Sequence, residues 1–133
     1  MRRPGTDAFT LIELVVVMTV IAILAALALP RYNFVVERSR QREAVVNLNV
    51  IRGSQMRYAL DNNNNYATNF TALDIEDPSN TSRYFNYSVA GASAANLAAA
   101  ARNTAQNSYG SYNISVNVNG TLNITGGSNP PQP

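Results

Sequence analysis

Cysteine, histidine, lysine and tryptophan are all absent from this 133-residue chain. Without cysteine there is no disulfide framework, no thiol nucleophile and no thiolate metal ligand. Without histidine the commonest general base and the commonest metal ligand are missing too. Charge is scarce: ten arginines stand against eight acidic residues, a formal +2, and charged residues make up only 14% of the chain. The arginines are dispersed over separate regions, so the excess specifies no basic face of the kind a nucleic acid needs. These absences argue against an enzyme, a catalytic residue, a bound metal or cofactor, and a specific nucleic-acid or small-molecule partner. The length allows one modest domain with a single core.

What the chain does have is asparagine and one long apolar run. Asparagine supplies 18 residues, mostly beyond Asp61, where it suits turns and solvated strand faces of an extracellular kind. From Phe9 to Leu29 the sequence reads FTLIELVVVMTVIAILAALAL, 21 residues whose only polar members are Thr10, Glu13 and Thr19. As a helix this run spans roughly 31 Å, close to the hydrocarbon thickness of a bilayer. Its apolar residues fall on every side, so it is a membrane span or a helix buried all round, and so small a chain cannot bury it alone. Arg2 and Arg3 before the run favour a cytoplasmic N-terminus and an outward body, while Arg31 after it pulls the other way. A cleaved secretory signal fits poorly, because the run exceeds the usual apolar core and Leu27-Ala28-Leu29-Pro30 lacks a small-x-small site. A carboxylate inside a span costs several kcal/mol unless it is paired, neutral or near the interface. Glu13 lies four residues into the run. It either snorkels to the interface or awaits a cationic partner from another molecule, and position alone leaves both open.

Ala8-Phe9-Thr10-Leu11-Ile12-Glu13-Leu14, with a short basic leader before it and VVVMTVIAILAALALPRY after it, resembles the N-terminus of type IV pilins and of the related type II secretion pseudopilins. The close likeness covers about residues 1 to 60. It implies that a prepilin peptidase cuts between Ala8 and Phe9 and that the new N-terminus, Phe9, is methylated. The family usually has glycine before the cut, where this chain has Ala8. The resemblance also implies that Glu13, fifth from the cut, pairs with the Phe9 amine of a neighbouring subunit and sets the filament register. Pro30, the twenty-second residue, reads as a helix kink rather than a stop, because the helical pattern resumes after it.

Past Pro30 the chain turns amphipathic. Ala44, Val45, Leu48, Ile51 and Tyr58 approximate an apolar stripe, while Glu37, Arg38, Arg40, Arg42 and Glu43 read as a solvated face, with Glu37 supporting Arg40 or Gln41 locally. Asp61-Asn62-Asn63-Asn64-Asn65 ends the helix. A loop follows, with Tyr66, Phe70, Leu73 and Ile75 as anchors. The acidic cluster Asp74, Glu76 and Asp77 suggests calcium, but without a glycine-bearing ligand loop it reads as a plain acidic turn. Strands are expected at Tyr84 to Val89, at Tyr112 to Val118 and at Thr121 to Thr125, the last two joined by Asn119-Gly120 in a type I′ turn. Asn96 to Asn103 is ambiguous: alanine favours a helix, and the family order favours a strand. Six Asn-x-Ser/Thr sequences, at Asn69, Asn80, Asn86, Asn113, Asn119 and Asn123, read as coincidence in so asparagine-rich a chain.

The expectation is therefore an α+β fold in which a long N-terminal hydrophobic helix, pilin-like, packs its C-terminal half on a small antiparallel sheet head. The divisions are a cleaved leader (1–8), a transmembrane and filament-core helix (9–30), its amphipathic continuation (31–61), a connecting loop (62–83), the sheet head (84–125) and a loose tail (126–133). The expected function is a type IV pilus subunit, stored in the inner membrane and assembled by its machinery into a homo-oligomeric surface filament for adhesion, motility or DNA uptake. The alternatives are a pseudopilin of a type II secretion system and a signal-anchored periplasmic binding module.

Overall fold

The computed structural model describes residues 9–89, 91–103, 109–128 and 130–132. The expected leader, Ala8 included, lies outside the described residues. Two compact units divide the chain, one up to Val35 and one from Val36 onward.

The first unit is the opening part of helix α1 (Leu11–Asp61). Every residue from Phe9 to Val35 is exposed, and the helix is long and apolar enough to cross a membrane. A helix suits such a segment because it satisfies its own backbone donors and acceptors, which lipid cannot do. Pro30 lies inside α1, so it does not terminate the helix.

The second unit is the head. Its sheet is a four-stranded antiparallel meander in the order β1 (Phe85–Ser88), β2 (Ala98–Arg102), β3 (Tyr112–Val116) and β4 (Leu122–Gly126). Strand alternation sends Phe85, Tyr87, Ala98, Ala100, Tyr112, Ile114 and Val116 into one core with Ala44, Leu48 and Ile51 of α1. The alanine-rich segment is a strand despite its helix propensity, because it is held by ladders on both sides, Tyr87 opposite Ala100 and Ala100 opposite Ile114. Phe70, Leu73 and Ile75 pack against this core from the connecting loop, and Ala67 is buried beside them in sequence.

The helix stripe differs from expectation in its chemistry. Ala44, Leu48 and Ile51 are buried and Val45 and Tyr58 half-buried, but Glu37, Gln41, Ser54 and Gln55 are buried as well. Gln55 shows why a polar side chain is tolerated there. Its amide donates to the Ala67 carbonyl at 2.9 Å and accepts from the Ala67 N–H at 2.8 Å, a reciprocal pair that ties the connecting loop to α1.

The last hairpin corrects the expected type I′ turn. Such a turn needs positive φ at both central residues, and of Asn119 and Gly120 only Gly120 has it, at 85°. Asn117 N–H donates to the Thr121 carbonyl at 3.1 Å and Gly120 N–H to the Asn117 carbonyl at 3.0 Å, enclosing a three-residue loop, Val118 to Gly120. Parity explains the choice. Directly opposite residues share a face, so a two-residue loop would set Val116 against Asn123, whereas the observed register sets Val116 against Leu122 and Ile114 against Ile124. Val118 leaves the ladder, and its carbonyl accepts from Arg52 Nε at 2.9 Å. In the tail, Ser128 N–H donates to the Tyr109 carbonyl at 2.7 Å and Pro131 is buried.

The helix ends at the asparagine run as expected. Asn63 and Asn64 take positive φ values of 55° and 60°, and Asn64 N–H donates back to the Ala59 carbonyl at 2.9 Å. A β-branched residue there meets the left-handed penalty that asparagine partly escapes. Asn64→Val should lower head stability by about 1–2 kcal/mol, whereas Asn64→Gly should be close to neutral; urea unfolding of the full chain in detergent, followed by circular dichroism, distinguishes the two.

Candidate functional site

Two carboxylates on the one helix define the chemistry available to this chain. The first is Glu13, in the first turn of α1. Thr10 N–H and Thr10 Oγ1 both donate to Glu13 Oε2 at 3.0 Å, and Glu13 N–H donates to Thr10 Oγ1 at 3.3 Å. This is a reciprocal capping box, Thr-x-x-Glu, in which each side chain satisfies the other residue's backbone donor at a helix start. Thr19, the remaining polar residue of the run, donates from Oγ1 to the Val15 carbonyl at 2.7 Å. All three polar residues of the apolar run thus have a hydrogen-bond partner within the run. No arginine occurs between Phe9 and Pro30, so Glu13 has a neutral partner and no cationic one within that segment. Phe9, expected as the processed terminus, is 81% exposed.

The second carboxylate is Glu37, 2% exposed. Arg102 Nε donates to Oε1 at 2.7 Å and Arg102 Nη2 to Oε2 at 3.0 Å, a two-pronged pair, while Tyr112 O–H donates to Oε1 at 2.6 Å. Arg40 Nη1 adds a contact to Oε2 at 3.3 Å, and the Arg40 guanidinium lies 4.3 Å from the centre of the Tyr84 ring. Burial pushes the Glu37 carboxyl up, but hydrogen bonds from Arg102 and Tyr112 and the Arg102 charge outweigh it and hold the group below its usual range. Burial, followed by the hydrogen bond to Glu37, raises the Tyr112 phenol. The Glu37 carboxylate therefore links α1 to β2 and β3 and is no part of a solvated face. The expected reading is corrected because the partner that draws Glu37 inward stands 65 residues away, out of reach of any local pattern.

The acidic cluster of the connecting loop is dispersed by its own partners. Arg57 donates to Asp74 Oδ2 from Nε at 2.7 Å and to Oδ1 from Nη2 at 2.9 Å, and Ser54 donates to Oδ1 as well. These contacts, Arg57 first, hold the Asp74 carboxyl down at about 2. Asp77 accepts from Ser79 N–H at 2.8 Å and caps a short 3₁₀ turn, Pro78–Asn80. Among the described residues no group of three or more carboxylates converges as a metal site.

Residues 5–29 match the model of the prokaryotic N-terminal methylation motif. The type IV major pilin protein PilA of Myxococcus xanthus is 41% identical over 56 residues, covering 42% of this chain and 26% of that protein. The type IV wide pilus major component PilA4 of Thermus thermophilus is 40% identical over 92 residues, covering 68% of each chain. The chain belongs to the type IV pilin family. No solved structure matches it.

For this pilin the sequence singled out Ala8, Phe9, Glu13 and Pro30. The structure places Glu13 in the first turn of α1 and Pro30 inside that helix, with Phe9 just before its start and Ala8 outside the described residues. It adds Thr10, whose signal was a hydroxyl three residues before a glutamate at a helix start. It adds Arg102 and Tyr112 as well, for which spacing carried no signal.

Removing one partner of a buried ion pair strands the other, so Glu37→Ala should cost the head about 3–5 kcal/mol, while Glu37→Leu with Arg102→Met should recover most of the loss. Urea unfolding of the three proteins tests this. Glu37 and Asp74 both have depressed values when folded. The stability they add is complete above the unfolded carboxylate range and disappears as pH falls through the folded values. The urea midpoint should stay level down to about pH 5 and decline below about pH 4, and Glu37→Gln should make that decline shallower.

Proposed function

We propose that this pilin is the building block of a type IV pilus. It is stored in the inner membrane through the apolar part of α1, cut between Ala8 and Phe9 by a prepilin peptidase, methylated at the Phe9 amine and assembled into a homo-oligomeric surface filament. The observation that carries this reading is the exposed apolar run from Phe9 to Leu29, helical from Leu11, with one carboxylate in the first turn and no cation of its own. Such a segment needs lipid or other copies of itself around it, and its carboxylate needs a charge it does not contain. Cleavage creates that charge, an amine four residues before Glu13. A neighbouring subunit's amine then takes over the carboxylate that Thr10 holds in the single chain, and one axial register satisfies both charges. Pro30 acts as the helix kink. Adhesion, motility or DNA uptake are tasks of the assembled fibre.

Glu13→Gln separates the two roles of the carboxylate, because an amide still accepts from the Thr10 N–H but carries no charge. We expect this variant to insert in the membrane and to be processed, yet to form few or no filaments in a shearing assay. Normal filament yield would contradict the ion-pair reading. Sequencing and mass determination of sheared wild-type protein should show a methylated Phe9 as the first residue; retention of residues 1–8 would overturn the proposal.

A further inference from the structure

The outward face of the sheet carries a pattern that the core does not require. The register lines up two rows across the strands, Ser88–Ala99–Ser115–Asn123 and Asn86–Ala101–Asn113–Thr125. In each row the residue on β2 is alanine and the others are amides or hydroxyls. With strands roughly 4.8 Å apart, the alanine column is a trough with a methyl floor, flanked by polar rails on β1 and β3. The surface here is a shallow groove of about 450 Å³, and Asn96, from the loop before β2, also lines it. Among the described residues no charged and no aromatic one lines it.

Three of the six Asn-x-Ser/Thr sequences, at Asn86, Asn113 and Asn123, are explained by this face. Residues two apart on a strand point the same way, so each sequence puts an amide and a hydroxyl on the same side.

The lining chooses the occupant by exclusion. A nucleic acid or an acidic polymer needs arginine or lysine, and the described lining has neither. An extended peptide adds to a sheet edge, whereas both edges of β2 are already paired. An apolar helix needs apolar walls, and here the walls are Asn and Ser. What fits is a polymer that is uncharged, rich in hydroxyls and apolar on its ring faces. Asparagine amides donate and accept as hydroxyls do, and alanine methyls accept the C–H face of a ring.

We propose that the outward groove over β2 is a binding site for neutral polysaccharide. The groove lies wholly in the head and does not depend on assembly. Each site is weak, because it is shallow and open, and a filament would multiply it by repetition along one glycan chain.

The test uses the full chain in a detergent without a sugar headgroup. Saturation-transfer NMR is recorded with cellohexaose, maltohexaose and N-acetylchitohexaose at millimolar concentration, and with a hyaluronan hexasaccharide as the anionic comparison. At least one neutral probe should give a signal. Ala101→Arg, which fills the trough, should abolish it, and Asn113→Ala, which only shortens a wall, should weaken binding about tenfold, both with unchanged circular-dichroism melting. If Ala101→Arg does not fold, Asn113→Ala with Ser115→Ala decides the matter. Silence from all three neutral probes, binding unaffected by these substitutions, or preference for hyaluronan would overturn the proposal.

Discussion

A carboxylate removed from water must be given back what water supplied, and this chain meets that constraint twice on one helix. At Glu37 the compensation is complete within the molecule: two guanidinium nitrogens of Arg102 and the Tyr112 hydroxyl surround it. At Glu13 it is partial, because Thr10 offers an N–H and an O–H but no charge. The difference separates a residue whose charge is answered within one subunit from one that, in the proposed filament, is answered by the next. Aqueous exposure or the interface suffices for Glu13 in isolation; an apolar filament core does not.

The head is organised around the same constraint. Its core is small, and several places on the buried helix stripe are polar. Each of three such residues reaches a different part of the chain: Glu37 reaches β2 and β3, Ser54 and its neighbour Arg57 reach Asp74, and Gln55 reaches Ala67. A purely apolar stripe could slide against the sheet by a turn at modest cost. Hydrogen-bonded partners at fixed places permit one alignment, which is what buried polar groups contribute to specificity where they are fully satisfied.

How much of this is legible in the sequence follows from the range of the interactions. The apolar run, the helix stop at the asparagines and the strands are local patterns, and the structure follows them. The Thr10–Glu13 cap is equally local and spelled in the motif; the same carboxylate carries a charge and a hydrogen-bonding role, and only the charge stands out against an apolar run. The hairpin is instructive in another way. Asn119-Gly120 is a strong turn signal, yet facing Val116 with Leu122 requires an odd number of loop residues, and that parity overrides the dipeptide. Glu37 is not legible, because a glutamate among arginines on an amphipathic helix looks solvated until a strand 65 residues later brings Arg102 beside it. The alanine strand is decided by its neighbours rather than by its own propensity.

Filament formation, on this reading, depends on Glu13 exchanging a partner within its own chain for one in the next subunit. A reconstruction of the sheared filament at side-chain resolution tests that exchange most directly. The expected result is a Glu13 carboxylate within hydrogen-bonding distance, about 3 Å, of the Phe9 amine of an adjacent copy. A filament in which Glu13 remains on its own Thr10, with every neighbouring amine out of reach, would contradict it.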